Sequence, residues 1–144
     1  MFTGAGAKKS SPKAMLLDLD DRFLQFYPPT SYQHYNLSSN YFFEEEEGPK
    51  YLKLFLKKCT KLLIVCDPPF GALARVIANN IATLKAQVQE MAPEAEILTY
   101  WIFPYFLTKH MAEVAPDLKM CHFIVEYDNH PVFKKGNSTR SPVR

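Results

Sequence analysis

The sequence predicts an α/β domain built on a parallel sheet. Three short, nearly continuous apolar runs carry that expectation: Ala14–Asp18, Leu62–Cys66 and Glu96–Phe103, each patterned like a strand buried on both faces. Between them lie stretches with apolar residues at helical spacing, first Leu52, Phe55, Leu56 and Cys59, then Leu73, Val76, Ile77, Ile81, Leu84 and Val88. Strands alternating with helices form a parallel sheet joined by right-handed crossovers. At 144 residues, 47% of them hydrophobic, the chain is sized for one domain with a substantial core.

Residues Met1 to Lys13 are small, polar and basic, and are expected to be a disordered arm or the edge of a gene model, with the domain proper over 14–144. Gly4-Ala5-Gly6 is not a nucleotide loop, because such a glycine turn needs a strand before it. The run Ala14–Asp18 closes on Asp18, Asp20 and Asp21. Ligands in open α/β sheets lie outside the carboxyl ends of strands, where an acid often accepts hydrogen bonds from ribose hydroxyls. The competing reading is a solvated turn with helix-capping aspartates, and Asp21 suits that reading best.

Arg22 to Tyr27 reads as a short amphipathic stretch stopped by Pro28-Pro29, and His34–Leu37 as a brief second strand with Asn36 at its polar end. The acids Glu44 to Glu47 precede Gly48-Pro49 and favour the positive end of the helix that follows. The longest helical pattern starts near Gly71 and runs to Met91, where Pro93 breaks it. Pro104 closes the next strand, whose Trp101 is expected in the core rather than stacked on a base. Thr108–Val114 reads as a short helix, Lys119–Tyr127 as a strand, Asp128–Pro131 as a turn and Val132-Phe133 as a returning strand. Lys134, Lys135, Arg140 and Arg144 form a basic tail that suits either phosphate contact or plain solvation.

Asp67-Pro68-Pro69-Phe70 follows the central apolar run directly. Two consecutive prolines fix φ and supply no backbone N–H, so the Asp67 and Pro68 carbonyls can stay out of the sheet ladder. With a carboxylate and an aromatic face alongside, the corner suits an amino group on a planar ring, as in a nucleobase. A tight turn with Asp67 as a helix cap is the competing reading.

No apolar run approaches the roughly 18 residues that span a bilayer, and the amino terminus lacks a signal-peptide centre, so a soluble intracellular protein without membrane partners is expected. The net charge of +2 neither demands nor excludes a nucleic-acid partner. Cys59, Cys66 and Cys121 are widely spaced, without a C-x-x-C pair or nearby histidine, which points to buried free thiols and no metal site in this chain.

The order of elements is similar to the later part of class I S-adenosylmethionine-dependent methyltransferases, and Asp67-Pro68-Pro69-Phe70 looks like the acid-Pro-Pro-aromatic corner of the N6-adenine methyltransferases. Leu16–Asp20, Cys66–Gly71, Trp101–Phe106, Tyr127–His130 and the closing Ser141–Arg144 resemble, more narrowly, the zinc-knuckle (CCHC) ribosomal RNA N6-adenosine methyltransferases. This resemblance runs from about Pro12 to Arg144. It implies a Rossmann-like sheet, S-adenosylmethionine as cofactor and large-subunit ribosomal RNA as substrate, with a nucleolar or nuclear location and the cytoplasm as alternative.

By the same resemblance Asp67 and the Pro68 carbonyl would accept hydrogen bonds from the adenine N6 amine, Pro69 would stiffen the corner and Phe70 would stack on the extruded base. Asp18 and Asp20 would face the cofactor, Asp18 at the ribose, with Asn36 toward the cofactor's adenine. The family's first strand, glycine loop and zinc modules have no counterpart in the matched segment, so the chain is expected to be a fragment, a truncated gene model or a degenerate copy. Two other readings accompany the enzyme: an inactive RNA- or protein-binding module, and a protein lysine methyltransferase, which Phe70 in place of Tyr disfavours.

Overall fold

A computed structural model describes residues 11–57, 59–69 and 73–123. The elements, in order, are β1 (Leu16–Asp18), a 3₁₀ turn (Asp21–Gln25), β2 (Tyr32–Asn36), β3 (Tyr41–Phe42), α1 (Glu47–Leu56), β4 (Lys61–Cys66), α2 (Ala74–Met91), β5 (Glu96–Trp101), a second 3₁₀ turn (Tyr105–Leu107) and α3 (Thr108–Val114). The alternation read from the sequence is present. The sheet, however, is in two parts among the described residues.

β1 runs parallel to β2, with Leu16, Leu17 and Asp18 opposite Tyr32, Gln33 and His34. β2 then turns back antiparallel into β3, with Tyr35 opposite Phe42 and Asn36 opposite Tyr41. The sequence pattern missed β3, whose two residues are too few to show a period. Its turn depends on Asn40, which takes a positive φ of 56°, a conformation that asparagine tolerates better than most residues. The Tyr35 hydroxyl donates to the Asn40 side-chain oxygen and holds the turn against the strand it leaves.

β4 and β5 form the second sheet, parallel from Lys61 opposite Glu96 to Cys66 opposite Trp101. Their apolar runs predict burial on both faces, and only one face is buried. Leu62, Ile64, Cys66, Ile97, Thr99 and Trp101 turn inward, whereas Leu63, Val65, Leu98 and Tyr100 are half exposed or more.

α2 joins the two sheets. Ile77, Ile81, Leu84 and Val88 recur at three- and four-residue steps and are all buried, which is the stripe that a helix against a sheet needs. Leu84 and Val88 pack with Tyr35 and Phe42 of the first sheet, with Leu52 and Leu56 of α1, and with Leu62 and Ile97 of the second. Ile77 and Ile81 pack with Cys66, Leu37 and Trp101. Asn80, on the same helix, donates 2.8 Å hydrogen bonds to the carbonyls of Leu37 and Ser38, tying α2 to the carboxyl end of β2.

Three further expectations change. The Arg22–Tyr27 stretch is 3₁₀ only as far as Gln25, and of its four apolar residues Leu24, Phe26 and Tyr27 are exposed while Phe23 is partly buried against Tyr32. α2 begins at Ala74, three residues after Gly71. Residues 119–123 contain no strand, while the rest of the expected Lys119–Tyr127 strand, the 128–131 turn, the returning strand and the basic tail lie outside the described residues.

Gly48 is buried in α1, and a Cβ there would lie 2.5 Å from Phe42 Cδ1 and 2.8 Å from Phe42 Cβ. Gly48→Ala is therefore expected to destabilise the fold by about 1–3 kcal/mol by driving α1 away from β3. A lower urea midpoint at unchanged m-value would show this, and an unchanged midpoint would contradict the close contact.

Candidate active site

The carboxyl ends of the parallel strands gather on one side of the molecule. Asp18 ends β1 opposite His34 of β2, and Leu37, just beyond β2, packs against the cluster that Cys66, at the end of β4, forms with Ile77 and Ile81. Asp67 follows Cys66 directly. The acid turn after β1, the Asn36 region after β2 and the Asp-Pro-Pro corner after β4 thus face the same end of the fold.

At the corner, the β4–β5 ladder finishes with Ile102 N donating to Cys66 O at 2.8 Å. Asp67 is exposed, Pro68 is buried and Pro69 is exposed. Among the described residues no donor reaches the Asp67 or Pro68 carbonyl, and Pro68 and Pro69 themselves offer no N–H to the ladder. Leu73 is the α2 N-cap residue and no side chain caps the helix, so Asp67 does not cap α2. Phe70 lies outside the described residues.

At the acid turn, Asp18 and Asp20 behave differently. Asp18 Oδ1 accepts from Asp20 N at 2.9 Å, and its second oxygen has no protein donor among the described residues. Asp20 caps the 3₁₀ turn, accepting from Arg22 N at 3.1 Å, and the Arg22 guanidinium grips both its carboxylate oxygens. That hydrogen bond, with the arginine's charge, holds the Asp20 carboxyl below its usual range. Asp20 rather than Asp21 fills the capping role. Of the two candidates, Asp18 keeps an acceptor in hand.

The carbonyls of this turn are held from β2. Tyr32 is fully buried, its hydroxyl 2.9 Å from Asp20 O and 3.2 Å from Asp18 O. His34 Nε2 lies 3.1 Å from Leu19 O, an acceptor, so this nitrogen carries the proton. The His34 ring stacks on Phe43 with centroids 3.7 Å apart. Neither residue stood out in the sequence, although Tyr32, His34 and Asn36 share one face of a strand by its two-residue period. Asn36 accepts from Ser38 N at 2.9 Å and so closes the turn after β2.

Trp101 is half buried against Phe103, ring centroids 5.6 Å apart, and belongs to the core rather than to the site. Of the cysteines, Cys66 alone is buried, Cys59 is intermediate and Cys121 exposed, so the expectation of three buried thiols holds for one. Among the described residues no three ligating side chains come together to hold a metal, and no helix is long and apolar enough to cross a membrane.

The sequence model of the family described as "Probable N6-adenine methyltransferase" matches residues 3–136. The chain belongs to the N6-adenine methyltransferase family. Among curated relatives it is 37% identical to the human rRNA N(6)-adenosine-methyltransferase ZCCHC4 over 99% of its own length, and 36% identical to the Bos taurus and Xenopus laevis proteins of that name over 97% and 92%. It spans 28–29% of the length of these methyltransferases.

Burial, and next the Asp67 charge, push the Cys66 thiol from 9.0 up to about 11. The fold thus favours the neutral thiol: this contribution to stability is complete below about pH 9 and is lost as pH rises toward about 11. In native protein at pH 8, iodoacetamide should modify Cys121 readily and leave Cys66 unmodified until denaturant is added. Mass spectrometry finding Cys66 alkylated as fast as Cys121 would contradict its placement.

Proposed function

We propose that this chain forms the catalytic part of an S-adenosylmethionine-dependent enzyme that methylates adenine N6 in large-subunit ribosomal RNA. The observation that carries the reading is the Asp67-Pro68-Pro69 corner, with two carbonyls unpaired among the described residues and an exposed carboxylate, at a strand's carboxyl end in a chain of the N6-adenine methyltransferase family. The named rRNA adenosine specificity of the relatives supports ribosomal RNA as substrate, and with it a nucleolar or nuclear location.

S-adenosylmethionine supplies the electrophilic methyl group when bound. Asp67 and the Pro68 carbonyl accept the two N–H groups of the adenine amine and direct its nitrogen lone pair toward the methyl donor. Pro69 keeps the corner rigid, and Phe70 stacks on the extruded base. The chain forms no covalent intermediate, so its contribution is orientation and electrostatic preorganisation. Asp18, with one oxygen uncommitted, fits the paired hydroxyls of the cofactor's ribose, while Asp20 is engaged by Arg22. Asn36, on the same strand face as Tyr32 and His34, would take the adenine end of the cofactor.

A Rossmann-like sheet is part of the proposal. Two parallel strand pairs, β1–β2 and β4–β5, support that reading.

Asp67→Ala removes an exposed side chain and should change stability by less than about 0.5 kcal/mol. It should lower methyl transfer to a large-subunit rRNA fragment by roughly 100-fold or more. Mass spectrometry of digested RNA would read N6-methyladenosine directly, and a variant as active as the parent would remove Asp67 from the mechanism.

A further inference from the structure

We propose that Tyr32 and His34 are positioning residues for the cofactor: together they clamp the backbone of the Asp18–Asp20 turn and so aim the Asp18 carboxylate. This inference rests on the reading of Asp18 as the acceptor of the ribose hydroxyls. Two side-chain donors from β2 reach the carbonyls of this turn. The Tyr32 hydroxyl directs its one proton to Asp20 O at 2.9 Å, with Asp18 O at 3.2 Å sharing it, and His34 Nε2 donates to Leu19 O at 3.1 Å. Spacing of two residues on β2 puts both donors on one face, and the parallel register sets His34 directly opposite Asp18.

The clamp is rigid at both ends. Tyr32 is 0% exposed, with its ring 5.9 Å from that of Phe23, and His34 is stacked on Phe43. An acid turn needs only its own aspartates and Arg22 to satisfy the cap of a 3₁₀ turn. Donors from a neighbouring strand go further and fix the backbone that carries Asp18, whose Oδ1 is held in turn by Asp20 N. A charged acceptor fixed before its partner arrives loses less entropy on binding. Burial also pushes the Tyr32 phenol up to about 12, so it remains a donor throughout the physiological range.

The test is isothermal titration of this chain with S-adenosylmethionine, with folding of each variant checked by circular dichroism. Tyr32→Phe keeps the ring against Phe23 and removes the hydroxyl, and His34→Phe keeps the stack on Phe43 and removes the Nε2 donor. Each should weaken binding about three- to tenfold, the effect of losing one net hydrogen bond. Asp18→Asn should weaken it at least as much, and Tyr32→Phe added to Asp18→Asn should cost no further affinity, because Tyr32 acts through Asp18.

If Asp18→Asn weakens binding while Tyr32→Phe and His34→Phe do not, the clamp is overturned and the ribose reading stands. Additive losses in the double variant would also overturn it, since Tyr32 would then act elsewhere. Full affinity in Asp18→Asn, or no binding by the folded parent chain, would overturn the cofactor reading and the clamp with it. Should Tyr32→Phe fail to fold, His34→Phe in the same cycle with Asp18→Asn decides the matter.

Discussion

The fold depends on the buried stripe of α2. Among the described residues the two sheets share no strand pairing, so hydrogen bonding does not join them. Leu84 and Val88 share one core cluster with Tyr35 and Phe42, against which Leu62 and Ile97 pack, while Ile77 and Ile81 cluster with Cys66, and Leu37 and Trp101 pack against them. Burial of this stripe, at roughly 1.5–3 kcal/mol for each fully buried aliphatic side chain, is what keeps the carboxyl ends of β2 and β4 together. Asn80 adds direction to that non-directional force by bonding the two carbonyls that follow β2.

From this arrangement the site inherits its division of labour. Rigid backbone is placed at each strand end by a different device: consecutive prolines after β4, side-chain donors from β2 around the turn after β1, and an asparagine turn after β2. The first two devices leave acceptors unpaired among the described residues. At the corner these are the Asp67 and Pro68 carbonyls, and at the acid turn one oxygen of Asp18. A methyl transfer that proceeds without a covalent enzyme intermediate asks for fixed acceptors of this kind rather than for a nucleophile. The neutral thiol of Cys66, buried beside Asp67, keeps a second negative charge away from the corner.

Asp20 illustrates how a site reading and a capping reading share one short motif. The three aspartates at and after the end of β1 are alike in the sequence, yet Arg22 pairs with Asp20 while one Asp18 oxygen has no donor among the described residues. Sequence proximity to Arg22 was visible, but which acid it grips follows from the backbone of the 3₁₀ turn. Tyr32 and His34 were overlooked for a related reason. Their partners are backbone carbonyls more than ten residues away, and carbonyls leave no mark in a sequence.

By itself the sequence determined the strands and helices with strong periods, the stripe of α2 above all, and the Asp-Pro-Pro corner, because proline geometry acts locally. It also carried the family, since matched segments in one order reflect many constrained positions at once. Only the tertiary structure decided that the sheet is in two parts among the described residues, that β3 folds back on β2 through the positive φ of Asn40, that one face of β4–β5 is exposed, and that Asp67 caps no helix. These are properties of pairing and packing. They depend on which surfaces meet, and an apolar run has the same letters whether one of its faces or both are covered.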